Sequence, residues 1–306
     1  MHNEMFQKLE KKLKSCKIEG FVIHQGNERM FEYYKNKKVQ EKPSKVYSVT
    51  KSIVSLLIGK LIELGLLENI HKPIFHYFPE IVNQHDSKKN EISIFHLLTM
   101  TSGLKVVHFQ GSKNWIKTIV EQPLVYTPGS TYQYNSGDSH LLSAIIHRVS
   151  GKTTAAFADE HLFGPLGIKK YSWVTDPQGI HGGGFSLFMN TEDMLKVGHL
   201  YLNGGRVKSR QIILSDWISQ STESYKVLET KENGSFGYGY QLWTFRSNHE
   251  KNPIDYFYAN GIYGQFIFVV PTLNWVVVVK SQLQSEDQLL PMRYVEDLIQ
   301  FQKNHI

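Results

Sequence analysis

Hydrophobic and polar positions along the chain change period several times. The opening stretch, MHNEMFQKLEKKLKSCKIEG, spaces apolar residues among lysines at helical intervals and predicts an amphipathic helix. GFVIHQGNERMFEYYK then reads as two strands around a Gly26-Asn27 turn. In KVYSVTKSIVSLLIGKLIELGLL, residues 45–67, apolar side chains occupy every face of a helix that the pattern opens at Ser48 and closes near Gly65. A helix apolar all round belongs in the interior. Residues 68–200 read as mainly helical, with Pro/Gly-punctuated loops at HKPIFHYFPE, TMTSGL, TPGSTYQYNSGDS and FGPLGI. Within them SHLLSAIIHRVSG and NTEDMLKVGHLYLNGG keep helical periodicity and end at glycine, and Thr191 precedes Glu192 and Asp193 as the expected N-cap. The strand pattern returns late, in YFYANG, GQFIFVV, a Pro271–Asn274 turn and NWVVVVKSQ, before a closing helix in EDQLLPMRYVEDLIQFQ.

Strands therefore sit at both ends of the chain and helices in the middle. The economical packing is an α+β fold in which terminal strands share one antiparallel sheet, covered by the terminal helices. We expect a single domain over 1–306, with a sheet lobe from 1–47 and 206–306 and a mainly helical lobe from 48–205. A cleft between lobes is where a site forms.

Composition narrows the function classes. With 306 residues, 41% of them hydrophobic and 12% aromatic, the chain can bury a large core, and it holds no low-complexity segment or fixed-period repeat. Its one cysteine, Cys16, excludes an internal disulfide and a cysteine-based zinc site. The net charge of +6 is local: residues 1–51 hold eleven Lys, Arg29 and six Glu, while the remainder balances 22 basic against 22 acidic residues. Interleaved with Glu and without a nucleic-acid motif, that excess reads as a solvated helix face, so no nucleic-acid partner is expected. The N-terminus lacks the apolar core and small-residue cleavage site of a secretory signal, and Lys60 and Glu63 interrupt the longest apolar run. We expect no membrane span and a cytoplasmic location, unless an export signal was trimmed.

The chemistry centres on Ser48 and Lys51. On a helix, positions i and i+3 are neighbours, so the amine can reach the hydroxyl, and burial would favour a neutral base. The bland alternative is an N-capping serine beside a lysine that snorkels to water. A second Ser-x-x-Lys, Ser102/Lys105, falls in the Ser-Gly turn of HLLTMTSGL, where the pair need not share a face. His181-Gly182-Gly183-Gly184 mimics a lipase oxyanion loop, but the chain has no Gly-x-Ser-x-Gly elbow, and we read it as a flexible loop. His96 and His140 fall at helix starts and read as capping or packing residues. No cofactor or metal is expected.

Four ordered blocks carry a resemblance: Ser48-Val-Thr-Lys51, HLLTMTSGL at 96–104, PGSTYQYNSGDSHLLSAII at 128–146 and GGGFSLFMNTEDMLKVGHLYLNGG at 182–205. Together they resemble the serine β-lactamase/penicillin-recognising superfamily, in its branch of class C-type esterases, D-aminopeptidases and 6-aminohexanoate-dimer hydrolases. The resemblance implies the β-lactamase/transpeptidase fold and a serine hydrolase acting through an acyl-enzyme on small esters or amides. It implies Ser48 as nucleophile, with Lys51 and Tyr134 handling protons and Ser136 in the family's asparagine position of the Tyr-x-Asn motif. Tyr258-Ala259-Asn260 matches that motif literally but lies among the late strands, where the family's third motif belongs. There Asn260 and Gly261 precede Ile262, whose amide would join that of Ser48 as the oxyanion hole. The third motif's cationic residue is replaced by Ala259, which counts against the first alternative, a β-lactamase or D-Ala-D-Ala carboxypeptidase. The second alternative is a catalytically idle binding or scaffold member of the fold, and retention of both Ser48 and Lys51 counts against it.

Overall fold

The computed structural model describes residues 2–81, 87–249 and 253–303. Its organising element is an antiparallel sheet of β1 (Ile18–Gln25), β2 (Glu28–Tyr34), β3 (Lys226–Lys231), β4 (Gly234–Tyr238), β5 (Trp243–Ser247), β6 (Tyr256–Gly261), β7 (Gln265–Val270) and β8 (Trp275–Ser281). In space the order is β2-β1-β8-β7-β6-β5-β4-β3, so the first and last strands are neighbours, as the pattern predicts. Phe21 stands opposite Val279 and Ile23 opposite Val277. On the far side of β8, Phe266 is also paired with Val279.

Strand periodicity divides the apolar residues between two cores. Phe21, Ile23, Phe266, Phe268, Val277 and Val279 pack with Leu9 and Leu13 of α1 (His2–Lys14) and Val295 and Leu298 of α5 (Leu290–Lys303). Val22, Phe257, Ala259, Ile267, Val276 and Val278 face the larger core, shared with α2 (Thr50–Glu63), α3 (Ser136–Ser150) and α4 (Thr191–Leu202). Strands β3 to β5 are additional to those read from the sequence. Their signal is weak because β3, at the sheet edge, exposes most of its residues, and β4 carries two glycines, Gly234 and Gly237, and no β-branched residue.

Residues 50–61 of α2 are all buried, which fits a helix apolar on every side. Helix α3 starts at Ser136, three residues before the predicted segment, and ends at Gly151 in the left-handed region at φ 67°. The α4 cap is Asn190, not Thr191: Asn190 has extended backbone and its side chain accepts from the Asp193 N–H at 2.8 Å. Thr191 is thus the first helical residue. Residues 64–135 hold less helix than expected, with only the short helices Ile94–Leu98 and Trp115–Val120 beside 3-10 turns among the described residues. These pieces are too short to propagate as helices, and Pro73, Pro79, Gly103, Gly111 and Pro123 punctuate the stretch they occupy. A small sheet of Ser44–Lys45, Ser172–Trp173 and Leu187–Met189 anchors the chain ahead of α2.

Candidate active site

Ser48 lies in a 3-10 turn, Tyr47–Val49, that runs directly into α2. The turn is held from both sides. The Val46 N–H donates to the Leu187 carbonyl at 3.0 Å, and Thr50 Oγ1 donates to the Tyr47 carbonyl at 2.6 Å. No serine side chain caps α2, because the residue in the cap position is Val49. Nor does Lys51 snorkel: it is 1% exposed. Its Nζ lies 3.2 Å from Ser48 Oγ, 3.1 Å from Ser136 Oγ and 2.6 Å from the Gly184 carbonyl oxygen. Burial lowers the Lys51 pKa from 10.5 to about 7, partly opposed by the carboxyl of Asp138. Serine hydroxyl and near-neutral amine therefore meet at the mouth of α2.

Two other segments complete the surroundings. Asn135 caps α3 by accepting from the Gly137 N–H, which places Tyr134 and Ser136 on either side of the cap. The Tyr134 ring lies 5.0 Å from Lys51 Nζ and stacks on Trp243, with centroids 6.0 Å apart. Burial pushes the Tyr134 hydroxyl up to about 12, with hydrogen bonding from the Ser48 side chain pulling the other way. Tyr258 stacks on Trp243 as well, at 6.3 Å. Of the two tyrosines in candidate motifs, Tyr134 is the one engaged with Ser48.

The end of β6 closes the arrangement. A Cβ on Gly261 would sit 2.4 Å from the Val46 carbonyl oxygen and 3.2 Å from the Ser48 nitrogen, so only glycine lets the strand approach the turn this closely. Ile262 and Asn260 then line a cleft of about 360 Å³ with Ser48, Tyr134, Trp243 and Tyr258. Leu289 and Met292 of the α5 segment add apolar wall. Ala259 points away into the larger core and is 4% exposed. Among the described residues lining the cleft the one cation is Lys231, 3.5 Å from Glu229 at the exposed rim.

Some of these contributors escape a reading of the sequence. The 182–184 glycines, expected as a flexible loop, are buried against α3: a Cβ on Gly183 would meet the Ser139 carbonyl oxygen at 2.0 Å. Their compactness is what brings the Gly184 carbonyl to Lys51. Asp138 is fully buried, accepts from Ser102 Oγ at 2.8 Å and leaves Oδ2 without a partner. Burial pushes its carboxyl well above the usual range, with Ser102 pulling it back. The only sequence signal for it is an acidic residue amid a buried helix. Ser102 is thus committed to Asp138, while Lys105 is exposed. His96 closes a capping box with Ser93, and His140 packs beside Phe109 and Trp115 with its Nε2 3.1 Å from Asp176. Among the described residues no group of three or more His, Cys, Asp or Glu could hold a metal ion, and no helix is long and apolar enough to cross a membrane.

The model of the beta-lactamase family matches residues 7–299. The chain is 23% identical over 310 residues to 6-aminohexanoate-dimer hydrolase from Paenarthrobacter ureafaciens, covering 91% of this chain and 76% of that protein. It is 28% identical over 149 residues to esterase EstB from Burkholderia gladioli, covering 42% of this chain and 38% of that protein. Among solved structures, the octameric penicillin-binding protein homologue from Pyrococcus abyssi superposes with a TM-score of 0.75 at 18% identity, over 92% of this chain and 74% of that one.

Proposed function

This chain belongs to the beta-lactamase family of serine hydrolases, and we propose that it cleaves small esters or amides through an acyl-enzyme on Ser48. The observation that carries the reading is the buried Lys51 amine 3.2 Å from Ser48 Oγ. In its neutral form that amine donates to the Gly184 carbonyl and Ser136, and its lone pair accepts the Ser48 proton. Ser48 Oγ then forms a bond to the substrate carbonyl carbon, and the amides of Ser48 and Ile262 hold the oxyanion. Tyr134 delivers a proton to the departing oxygen or nitrogen as the bond to the leaving group breaks. Water, deprotonated by the same groups, releases the acid and restores Ser48.

The pH dependence follows from which form of Lys51 is active. Protonation removes the base, so kcat/KM for p-nitrophenyl butyrate should be high above pH about 7 and fall below it. A profile that keeps rising to the ordinary lysine range, near 10.5, would place Lys51 in water rather than in the interior.

Substrate choice turns on Ala259. A β-lactam or D-Ala-D-Ala peptide brings a carboxylate that family relatives meet with a cationic or hydroxylic third motif. Here Ala259 offers nothing and Asn260 only a neutral amide. Exchanging a charge-assisted hydrogen bond for a neutral one forfeits about 1–2 kcal/mol, roughly tenfold or more in binding. We expect activated short-chain esters to be hydrolysed well and benzylpenicillin slowly or not at all. A substrate panel coupled to intact-mass detection of the acyl adduct tests this. Benzylpenicillin outpacing p-nitrophenyl butyrate would favour the β-lactamase reading, and no adduct with any substrate would favour the idle scaffold.

A further inference from the structure

Beside the Ser48 cleft lies a second hollow of about 460 Å³ with a polar lining that includes Ser44, Lys45, Gln265, Gln282 and Glu19. Tyr47 and Tyr263 also line it, and each is the chain neighbour of a residue lining the first cleft, Ser48 and Ile262. The two rings meet edge-on at 5.1 Å. Both residues hold positive φ, 48° and 64°, a conformation that side-chain-bearing residues rarely adopt and that concentrates at functional sites. The Lys45 ammonium lies 5.1 Å from the Tyr47 ring centroid and 5.8 Å from that of Phe185. Among the described residues it forms no ion pair. Glu19, the one carboxylate in the lining, is engaged by Gln282 Nε2 at 3.0 Å.

We propose that this hollow receives the acyl half of the substrate and that the acyl chain ends in a carboxylate met by Lys45. The inference rests on the hydrolase reading above. If Tyr134 protonates the leaving group, the leaving group lies on its side, among Trp243, Leu289 and Met292. With the carbonyl oxygen on the Ser48 and Ile262 amides and the leaving group on the Tyr134 side, the acyl chain takes the opposite side of Ile262, that of Tyr263 and the hollow. The Ser44 hydroxyl and the second N–H of the Gln282 amide complete the recognition of an anion, while the Gln265 amide, bound to the Ser281 carbonyl at 2.6 Å, holds the floor of the hollow. A β-lactam does not profit from Lys45, because its carboxylate is attached on the leaving-nitrogen side.

The test compares the mono-p-nitrophenyl ester of glutaric acid with p-nitrophenyl pentanoate, which share leaving group and chain length. We expect kcat/KM to favour the glutarate ester by about tenfold, mostly through KM, on the scale of one charge-assisted contact. Lys45→Gln should collapse that ratio toward one and Lys45→Arg should keep it. Glu19→Gln, which removes a like charge, should enlarge it. A wild-type ratio near or below one, or a ratio indifferent to Lys45→Gln, overturns the inference while pentanoate hydrolysis leaves the hydrolase reading standing. Failure of both esters together with absence of Ser48 acylation overturns both.

Discussion

Ser48→Ala should abolish covalent labelling by a fluorophosphonate and reduce ester turnover by about four or more orders of magnitude, the scale on which removing a catalytic nucleophile acts. The size of the effect reflects the absence of a substitute. Ser136 Oγ touches Lys51 at 3.1 Å but, unlike Ser48, does not line the cleft with Asn260 and Ile262. Ser102 is 2% exposed and donates to Asp138. The fold should be unaffected, because Lys51 keeps its bonds to Ser136 and the Gly184 carbonyl when the Ser48 hydroxyl is gone. Peptide mapping of the labelled wild type together with circular dichroism of the variant checks both halves. Label retained in the alanine variant, or found on Ser102, would remove Ser48 from the mechanism.

The next largest losses are expected at the two proton-handling residues. Lys51→Ala and Tyr134→Phe should each lower turnover by about two or more orders of magnitude, as removal of a general acid or base does. The loss should fall in kcat rather than KM, since neither side chain is expected to grip substrate and transition state equally. Both act on the Ser48 proton, so the double variant should lose much less than the product of the single effects. Lys51→Ala should also erase the decline of activity below pH about 7, because that titration belongs to the amine. Steady-state kinetics across pH on the three variants decides the matter. Near-normal turnover in Tyr134→Phe would transfer the acid role to Tyr258, which stacks on Trp243 as Tyr134 does.

Much of this was legible from short-range regularities. The i, i+3 spacing of Ser48 and Lys51, the all-round apolar face of α2 and the period-2 runs at both ends each depend on a few consecutive residues. From those runs the pairing of β1 with β8 follows, since apolar faces at both termini must find a common core. Gly261 was legible only through the resemblance, as the residue ahead of the Ile262 amide. That the protein's own Val46 carbonyl and Ser48 amide leave no room for a side chain there emerges only in three dimensions. The same holds for Asn190 taking the cap from Thr191, which depends on which residue stays extended when α4 docks on the sheet. It holds for β3 to β5, whose weak patterns become strands because β6 offers an edge to pair with. Lys51 is the sharpest case. Its place one turn after Ser48 is written in the chain, but whether it reaches water or is buried is not. Burial requires the Gly182–Gly184 segment to pack against α3 and present a carbonyl at 2.6 Å, a contact between residues 133 positions apart. Proximity to Ser48 is a property of helix geometry, and a pKa near 7 is a property of desolvation by distant segments.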